Sequence, residues 1–211
     1  HPPLPLRAGE SGGVATEGDL TVFLGIGVLH HDLGDRPGDL GAQLRRLADD
    51  PALTARRPDG SLAVRQPLRV VLDTDLAMPA QAQMLSLPGQ TLVLTTESDP
   101  GRHRRLQQSG AEVALVAGAA GQLDLSAVLA QLAAREINEV LLECGPTLAG
   151  AFLQAGLVDE LIVYLAPHLM GDSARGLFRL PGLERMQDRI ALEWLDVRQV
   201  GSELRITARP V

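Results

Sequence analysis

Apolar residues fall along this chain in short runs, and the spacing within the runs switches between two periods. Gln66 to Leu72 (Q-P-L-R-V-V-L) is β-branched and ends at Asp73-Thr74-Asp75, which predicts a strand. Leu92–Thr95 and Val113–Val116 read the same way, with a helical stretch from Arg102 to Gln108 between them. Leu123–Ala134 places Leu125, Val128, Leu129 and Leu132 on one helical face, with Asp124 near its start. Glu139–Leu142 is a short apolar strand. Leu148–Leu157 is helical, with Leu148, Ala151, Phe152 and Ala155 in register and Gly156 as a stop. Asp159–Ala166 is a further strand. Strands and helices thus alternate from residue 66 to residue 166, the pattern of a largely parallel sheet covered by helices. Ile190–Val200 and Glu203–Ala208 instead alternate apolar with polar residues around Gly201-Ser202, the signature of a hairpin. The predicted class is α/β, with a mixed, mostly parallel sheet closed by an antiparallel hairpin.

The opening is less patterned. His1–Gly18 is rich in Pro and Gly and reads as loop or tail, and Leu20–Leu29 as an apolar strand. Gly25-Ile26-Gly27 in that strand matches part of a dinucleotide glycine fingerprint but lacks the third glycine. His30-His31-Asp32 carries metal-binding side chains. Adjacent histidines diverge on a strand or a helix, however, and no third ligand follows, so a solvated loop is expected. Asp35–Leu40 reads as loop and Gln43–Leu47 as a short helix. Asp49-Asp50-Pro51 and Asp59-Gly60 are turns.

The densest chemistry lies within Glu136–Asp172, where strand, turn, helix and strand form a predicted βαβ crossover. Between its first strand and its helix stand Glu143-Cys144-Gly145-Pro146-Thr147. Glycine lets backbone amides approach a ligand, and a helix start favours phosphate. Thr147 is expected to cap the helix with its hydroxyl. Glu143, at the strand end, sits where a carboxylate reaches substrate hydroxyls or a ring nitrogen. The competing reading is an ordinary helix start beside a solvated strand-end charge.

Composition narrows the classes. With 211 residues, 45% hydrophobic content and a net charge of −7, a folded single domain is expected and nonspecific nucleic-acid binding is disfavoured. Aromatic content of 2% argues against base-stacking platforms. The single cysteine, Cys144, excludes an intrachain disulfide framework and a zinc-thiolate cluster, which fits a reducing cytoplasm. No apolar run approaches the length of a membrane span, and the N-terminus lacks a signal-peptide pattern, so no membrane partner is expected.

Together these segments resemble the reductase domain of the bacterial bifunctional riboflavin-biosynthesis deaminase/reductase family. The resemblance is carried by Ala48-Asp49-Asp50-Pro51-Ala52-Leu53-Thr54, Val70-Val71-Leu72-Asp73-Thr74, Glu143 to Gly150 and Gly156 to Leu161. Ala166-Pro167 through Gly171, Ala174 to Leu177 and the closing hairpin add to it. It covers roughly the last three quarters of the chain, residues 48–211 most closely and 1–47 least. It implies a dihydrofolate-reductase-like, three-layer α/β/α fold and an NADPH-dependent reduction. The implied substrate is 5-amino-6-(5-phosphoribosylamino)uracil, whose ribose becomes ribityl. Carried over by position, Asp49, Thr74 and Gly145, Pro146, Thr147, Leu148, Ala149, Gly150 and Ala151 are implied cofactor contacts. Leu53, Arg56 and Glu143 are implied substrate contacts, with Arg56 suited to the 5-phosphate and Glu143 the one candidate proton donor. The chain departs from the family in lacking a Ser-Leu-Asp-Gly element, in having Arg45 at a usual threonine and in having Cys144 at a usual glycine or alanine. No zinc-deaminase motif is present, so a deaminase is expected only as a separate domain or protein earlier in the pathway. The open edge of the closing hairpin predicts a homodimer. The alternatives are a non-catalytic dinucleotide- or partner-binding domain of the same fold, or a reductase of a related pyrimidine or pteridine.

Overall fold

A computed structural model describes residues 21–27, 50–57 and 59–211, with 21–27 defined by its backbone. The loop, histidine and short-helix expectations for 1–18 and 30–47, and Asp49, lie outside the described residues. The apolar run near residue 20 contains a strand, β1 (Thr21–Gly27). After the arm 50–63 come β2 (Arg69–Leu72), the short helix α1 (Gln83–Ser86), β3 (Thr91–Thr95), α2 (Pro100–Gln108) and β4 (Ala111–Leu115). A small pair, β5 (Gly118–Ala119) and β6 (Gln122–Leu123), precedes α3 (Leu125–Ala133) and β7 (Glu139–Leu142). Then follow α4 (Pro146–Gln154), β8 (Glu160–Leu165), β9 (Leu192–Val200) and β10 (Glu203–Pro210).

The strands form a five-stranded sheet in the order β7-β1-β8-β10-β9 and a three-stranded sheet β2-β3-β4, with β5 and β6 paired apart. β7 and β8 both run parallel to β1, which lies between them. The crossover through α4 therefore spans a strand drawn from the chain's opening. β2, β3 and β4 are mutually parallel, whereas β10 runs antiparallel to both β8 and β9. The sheet is thus mixed and mostly parallel, with the predicted hairpin at one edge. The single central sheet expected from the sequence is, among the described residues, two hydrogen-bonded sheets joined by side chains. Leu72 of β2 packs in the clusters on both sides, as do Ile137 and Val140 at β7.

Each helix follows from local chemistry. Asp99 caps α2 by accepting from the Gly101 amide at 2.6 Å, with Pro100 at the first helical position. Asp124 caps α3 by accepting from Ser126 and Ala127 amides at 2.9 and 3.2 Å. α3 turns Leu129 toward α4 and Val128 and Leu132 toward β3. α4 buries Ala149, Phe152 and Leu153 against Leu161 of β8, and each large side chain so placed contributes about 1.5–3 kcal/mol. Its end is a Schellman motif: Gly156 (φ 67°) donates to Leu153 O at 3.1 Å and Leu157 to Phe152 O at 3.0 Å.

Candidate functional site

The residues that carry chemistry gather where strands end. β2 finishes at Leu72 and β7 at Leu142, and these two leucines pack in the same cluster. Thr74 and Glu143 therefore each lie just beyond the carboxyl end of a parallel strand, where open α/β sheets hold ligands. Thr74 is half-buried, and its carbonyl accepts from Thr95 Oγ1 at 2.8 Å and Thr96 Oγ1 at 3.2 Å. Those two hydroxyls, at the end of β3, were not singled out by sequence reasoning, although a Thr-Thr pair closing a fully buried strand was a readable signal. Beside them Arg102 donates to Asp75 O at 2.9 Å and pairs with Glu97 at 3.2 Å.

The turn after Thr74 is held open by force. Leu76 has φ 51°, a left-handed conformation costly for leucine, yet it is almost fully buried. Asp73 holds it by accepting from the Ala77 and Met78 amides at 3.0 and 2.7 Å. Leu53, at φ 44°, packs partly buried against the cluster containing Leu76, Met78 and Met84. Asp50 (φ 38°) accepts from the Gln83 amide at 2.8 Å, tying the arm 50–57 to the start of α1. Arg56 lies further along this arm, exposed, with Nη1 donating to Gly60 O at 3.0 Å. Among the described residues no carboxylate pairs with it, which leaves its charge available to an anion. Leu53 and Arg56 thus share one arm, but the leucine side chain is committed to the core.

Glu143 is exposed. Two residues on, Gly145 is the N-cap of α4, which corrects the expectation that Thr147 caps it. The helix begins at Pro146, so Thr147 falls inside the first turn and no side chain caps that end. Nothing lies within 4 Å of where a Gly145 side chain would begin. Pro146 has no N–H, and the first helical bond is Ala149 N to Gly145 O at 3.1 Å. The Gly145 cap offers the Thr147 and Leu148 amides no side-chain acceptor, and the first turn carries no acidic residue. This end fits a cofactor phosphate. Ala149 and Gly150, further along, are buried. Gly150 lies under the backbone of Arg179, whose amide donates to Pro146 O at 2.9 Å. Its missing side chain makes room for that segment.

Two concavities lie elsewhere. One of about 250 Å³ is lined by Gln66, Leu68 and Gly89 at the other end of β2. One of about 340 Å³ is lined by Leu161, Phe178 and Met186 near the start of β8. Neither contains Thr74, Arg56 or Glu143. No described helix is long and apolar enough to cross a membrane. No group of three or more His, Cys, Asp or Glu side chains among the described residues could hold a metal ion.

Parallel strands alternating with helices, closed by an antiparallel hairpin, define a dihydrofolate-reductase-like domain. The chain belongs to the family described as the RibD C-terminal domain, whose model matches residues 42–206. The riboflavin biosynthesis protein RibD of Escherichia coli K12 is 41% identical over 169 residues, covering 75% of this chain and 44% of that protein. The chain thus spans less than half the length of this relative. Acinetobacter baumannii RibD superposes with a TM-score of 0.72 at 27% identity, covering 91% of this chain and 58% of that one. A Thermotoga maritima protein described as a diaminohydroxyphosphoribosylaminopyrimidine deaminase/5-amino-6-(5-phosphoribosylamino)uracil reductase shares the fold. Its TM-score is 0.61 at 22% identity, over 91% of this chain and 46% of that one.

Proposed function

We propose that the chain is a reductase of riboflavin biosynthesis that reduces the ribose of 5-amino-6-(5-phosphoribosylamino)uracil to the ribityl chain, with NADPH as hydride donor. The uncapped start of α4 two residues beyond Glu143 carries this reading, because it pairs an anion site with a carboxylate at one strand end. The family, and the activity by which the Thermotoga maritima protein is described, support this choice of substrate. When bound, the cofactor supplies hydride to C1′ of the ring-opened sugar. The amides of Thr147 and Leu148, with Gly145 admitting close approach, hold its phosphates. Thr74 and, in the preceding segment, Asp49 contact it further along, with Pro146, Ala149, Gly150 and Ala151 shaping the helix that carries the amides. Arg56 anchors the substrate 5-phosphate, since guanidinium and phosphate oxygens match in geometry and charge. Leu53 sets the arm at the depth that lets Arg56 reach it. Glu143 holds sugar hydroxyls or the ring and is the candidate source of the proton that completes the reduction. Hydride transfer requires no protein nucleophile. The protein positions the two carbons and excludes water.

The substrate is a small phosphorylated compound supplied by a deaminase, acting as a further domain or a separate protein, in the cytoplasm. The working form is a homodimer. The test is substrate-dependent loss of reduced-nicotinamide absorbance, with the product identified by mass as two hydrogens heavier. Saturable NADPH binding without turnover would instead favour a non-catalytic dinucleotide-binding domain. Turnover only with another pyrimidine or a pteridine would move the substrate.

A further inference from the structure

Alternation along the strands divides the larger sheet into two faces. Leu142, Leu161 and Val163 belong to the cluster that α4 covers, and the register sets Ile206 beside Val163 and Ala208 beside Leu161 on that same face. Their neighbours in sequence, Ile162, Tyr164, Arg205 and Thr207, therefore take the opposite face. Alternation assigns Glu143, one residue beyond Leu142, to that face too. The arm carrying Leu53 and Arg56 lies on the same side, because Leu53 shares a cluster with Val71, whereas Val70 and Leu72 pack with α3.

On this face β1 is bare. Gly25 lies beside Ile162 and Gly27 beside Tyr164, so no side chain rises from either position between β7 and β8. Two strand spacings, about 10 Å, separate the strand of Glu143 from that of Tyr164. Next to Tyr164 comes Arg205, its direct partner in β10. The Nε of Arg205 is buried and has no hydrogen-bond partner. Its other cross-strand neighbour is a like charge, Arg198, which is itself paired with Asp196 at 3.3 Å. Among the described residues no carboxylate pairs with Arg205. A buried N–H without an acceptor is costly, and a ligand oxygen would remove that cost.

We propose that Tyr164 and Arg205 read the pyrimidine base of the substrate, which lies over the Gly25–Gly27 floor, with Arg205 donating to a ring carbonyl and so selecting the deaminated compound. This rests on the reductase reading and extends it along the sheet. The order of groups matches: phosphate at Arg56 on the β2 side, sugar at Glu143 beyond β7, base over β1, and the far edge of the base at β8 and β10. A uracil presents acceptor, donor and acceptor along that edge, as C2=O, N3–H and C4=O. Guanidinium offers only donors, and a tyrosine hydroxyl both donates and accepts. Before deamination the same ring carries an amino group in place of its C2 carbonyl. That group would set donors against the donors of Arg205. A site built to hydrogen-bond one group rejects an analogue lacking it far more strongly than shape alone can. Arg205 therefore makes deamination precede reduction.

The experiment compares wild type, Arg205→Met, Arg205→Lys and Tyr164→Phe in NADPH oxidation with the uracil substrate and with its 2-amino analogue. NADPH affinity is titrated separately. Wild type prefers the uracil. Arg205→Met lowers kcat/KM for the uracil roughly tenfold or more and leaves that for the analogue unchanged or higher, so the preference collapses while NADPH affinity holds. Arg205→Lys keeps a donor-only cation and retains part of the preference. Tyr164→Phe keeps the ring and weakens uracil turnover through KM. Equal losses on both compounds mean a structural role for Arg205 and overturn the assignment. So does a preference that Arg205→Met leaves intact, or a wild type without one. A Tyr164→Phe protein indistinguishable from wild type removes the tyrosine from base recognition. A wild type that reduces neither compound overturns the reductase reading, and this assignment with it.

Discussion

Two glycines five residues apart, Gly145 and Gly150, belong to one motif by sequence and to two different jobs by structure. Gly150 is in mid-helix, where alanine alone would add about 1 kcal/mol of helical propensity. A side chain there would overlap the Arg179 carbonyl oxygen and lie 2.8 Å from the Arg179 carbonyl carbon and 3.2 Å from its nitrogen. These are backbone atoms, so relief requires moving the segment. Forced overpacking costs about 1–3 kcal/mol. Displacement also strains the 2.9 Å bond from Arg179 N to Pro146 O, at about 0.5–1.5 kcal/mol. After offsetting the propensity gain, Gly150→Ala should destabilise by about 1–3 kcal/mol. For a domain of this size that lowers Tm by roughly 3–10 °C. Gly145→Ala meets nothing and has φ −72°, so its cost stays within about 1 kcal/mol as an N-cap change. Its effect falls on the cofactor, whose dissociation constant rises as the added methyl intrudes between phosphate and amides. The assay is a pair of thermal melts with NADPH titrations. A Gly150→Ala protein that melts higher than wild type would refute the packing argument. A Gly145→Ala protein that binds NADPH unchanged would remove the phosphate from the α4 start.

Other predictions rest on separate observations. Arg69 is almost fully buried, and its guanidinium donates to Thr91 Oγ1 and to the carbonyls of Leu87, Pro88 and Gly89 at 2.7–3.2 Å. Arg69→Met leaves those carbonyls without their donor. It should lower stability in urea by about 2–4 kcal/mol, with turnover per folded molecule retained because the residue lies at the far end of β2. Burial pushes the Glu160 carboxyl above its ordinary 4.5. The folded state therefore disfavours its charged form, a burden present above the folded pKa and absent below the unfolded one. Glu160→Gln should raise Tm at neutral pH, with the difference vanishing under acid conditions; a constant difference across pH would contradict the cause.

The elements legible in the sequence are those whose signals are local. The crossover from Glu139 to Leu165 combines a short apolar strand, a helix with Pro146 at its start, a Gly156 stop and a second apolar strand, and each was readable alone. The closing hairpin was readable for the same reason. What escaped depends on contacts between distant segments. The proximity of the Arg179 backbone makes Gly150 a packing residue, and no pattern within the motif encodes that. The left-handed conformations of Leu53 and Leu76 are stabilised by burial in a shared cluster and by Asp73, against leucine's own preference. Thr147 was misread as the cap because a hydroxyl is the favoured capping group, but proline, suited to the first helical position, sets the helix start two residues earlier, with Gly145 as the cap. The Thr95 and Thr96 bonds to Thr74 O join strand ends some twenty residues apart, and only the parallel pairing of β2 with β3 creates them.

The measurement closest to the central claim is steady-state NADPH oxidation with 5-amino-6-(5-phosphoribosylamino)uracil, comparing wild type, Arg56→Ala and Glu143→Gln. Arg56→Ala loses a charge-assisted phosphate contact of about 1.5–3 kcal/mol, so kcat/KM should fall roughly 10- to 150-fold with NADPH affinity retained. Glu143→Gln keeps the shape but not the charge or the proton, and should lower kcat as well. Turnover by wild type with these two losses is the expected result. Wild-type turnover that neither variant reduces would contradict the placement of the substrate at the ends of β2 and β7.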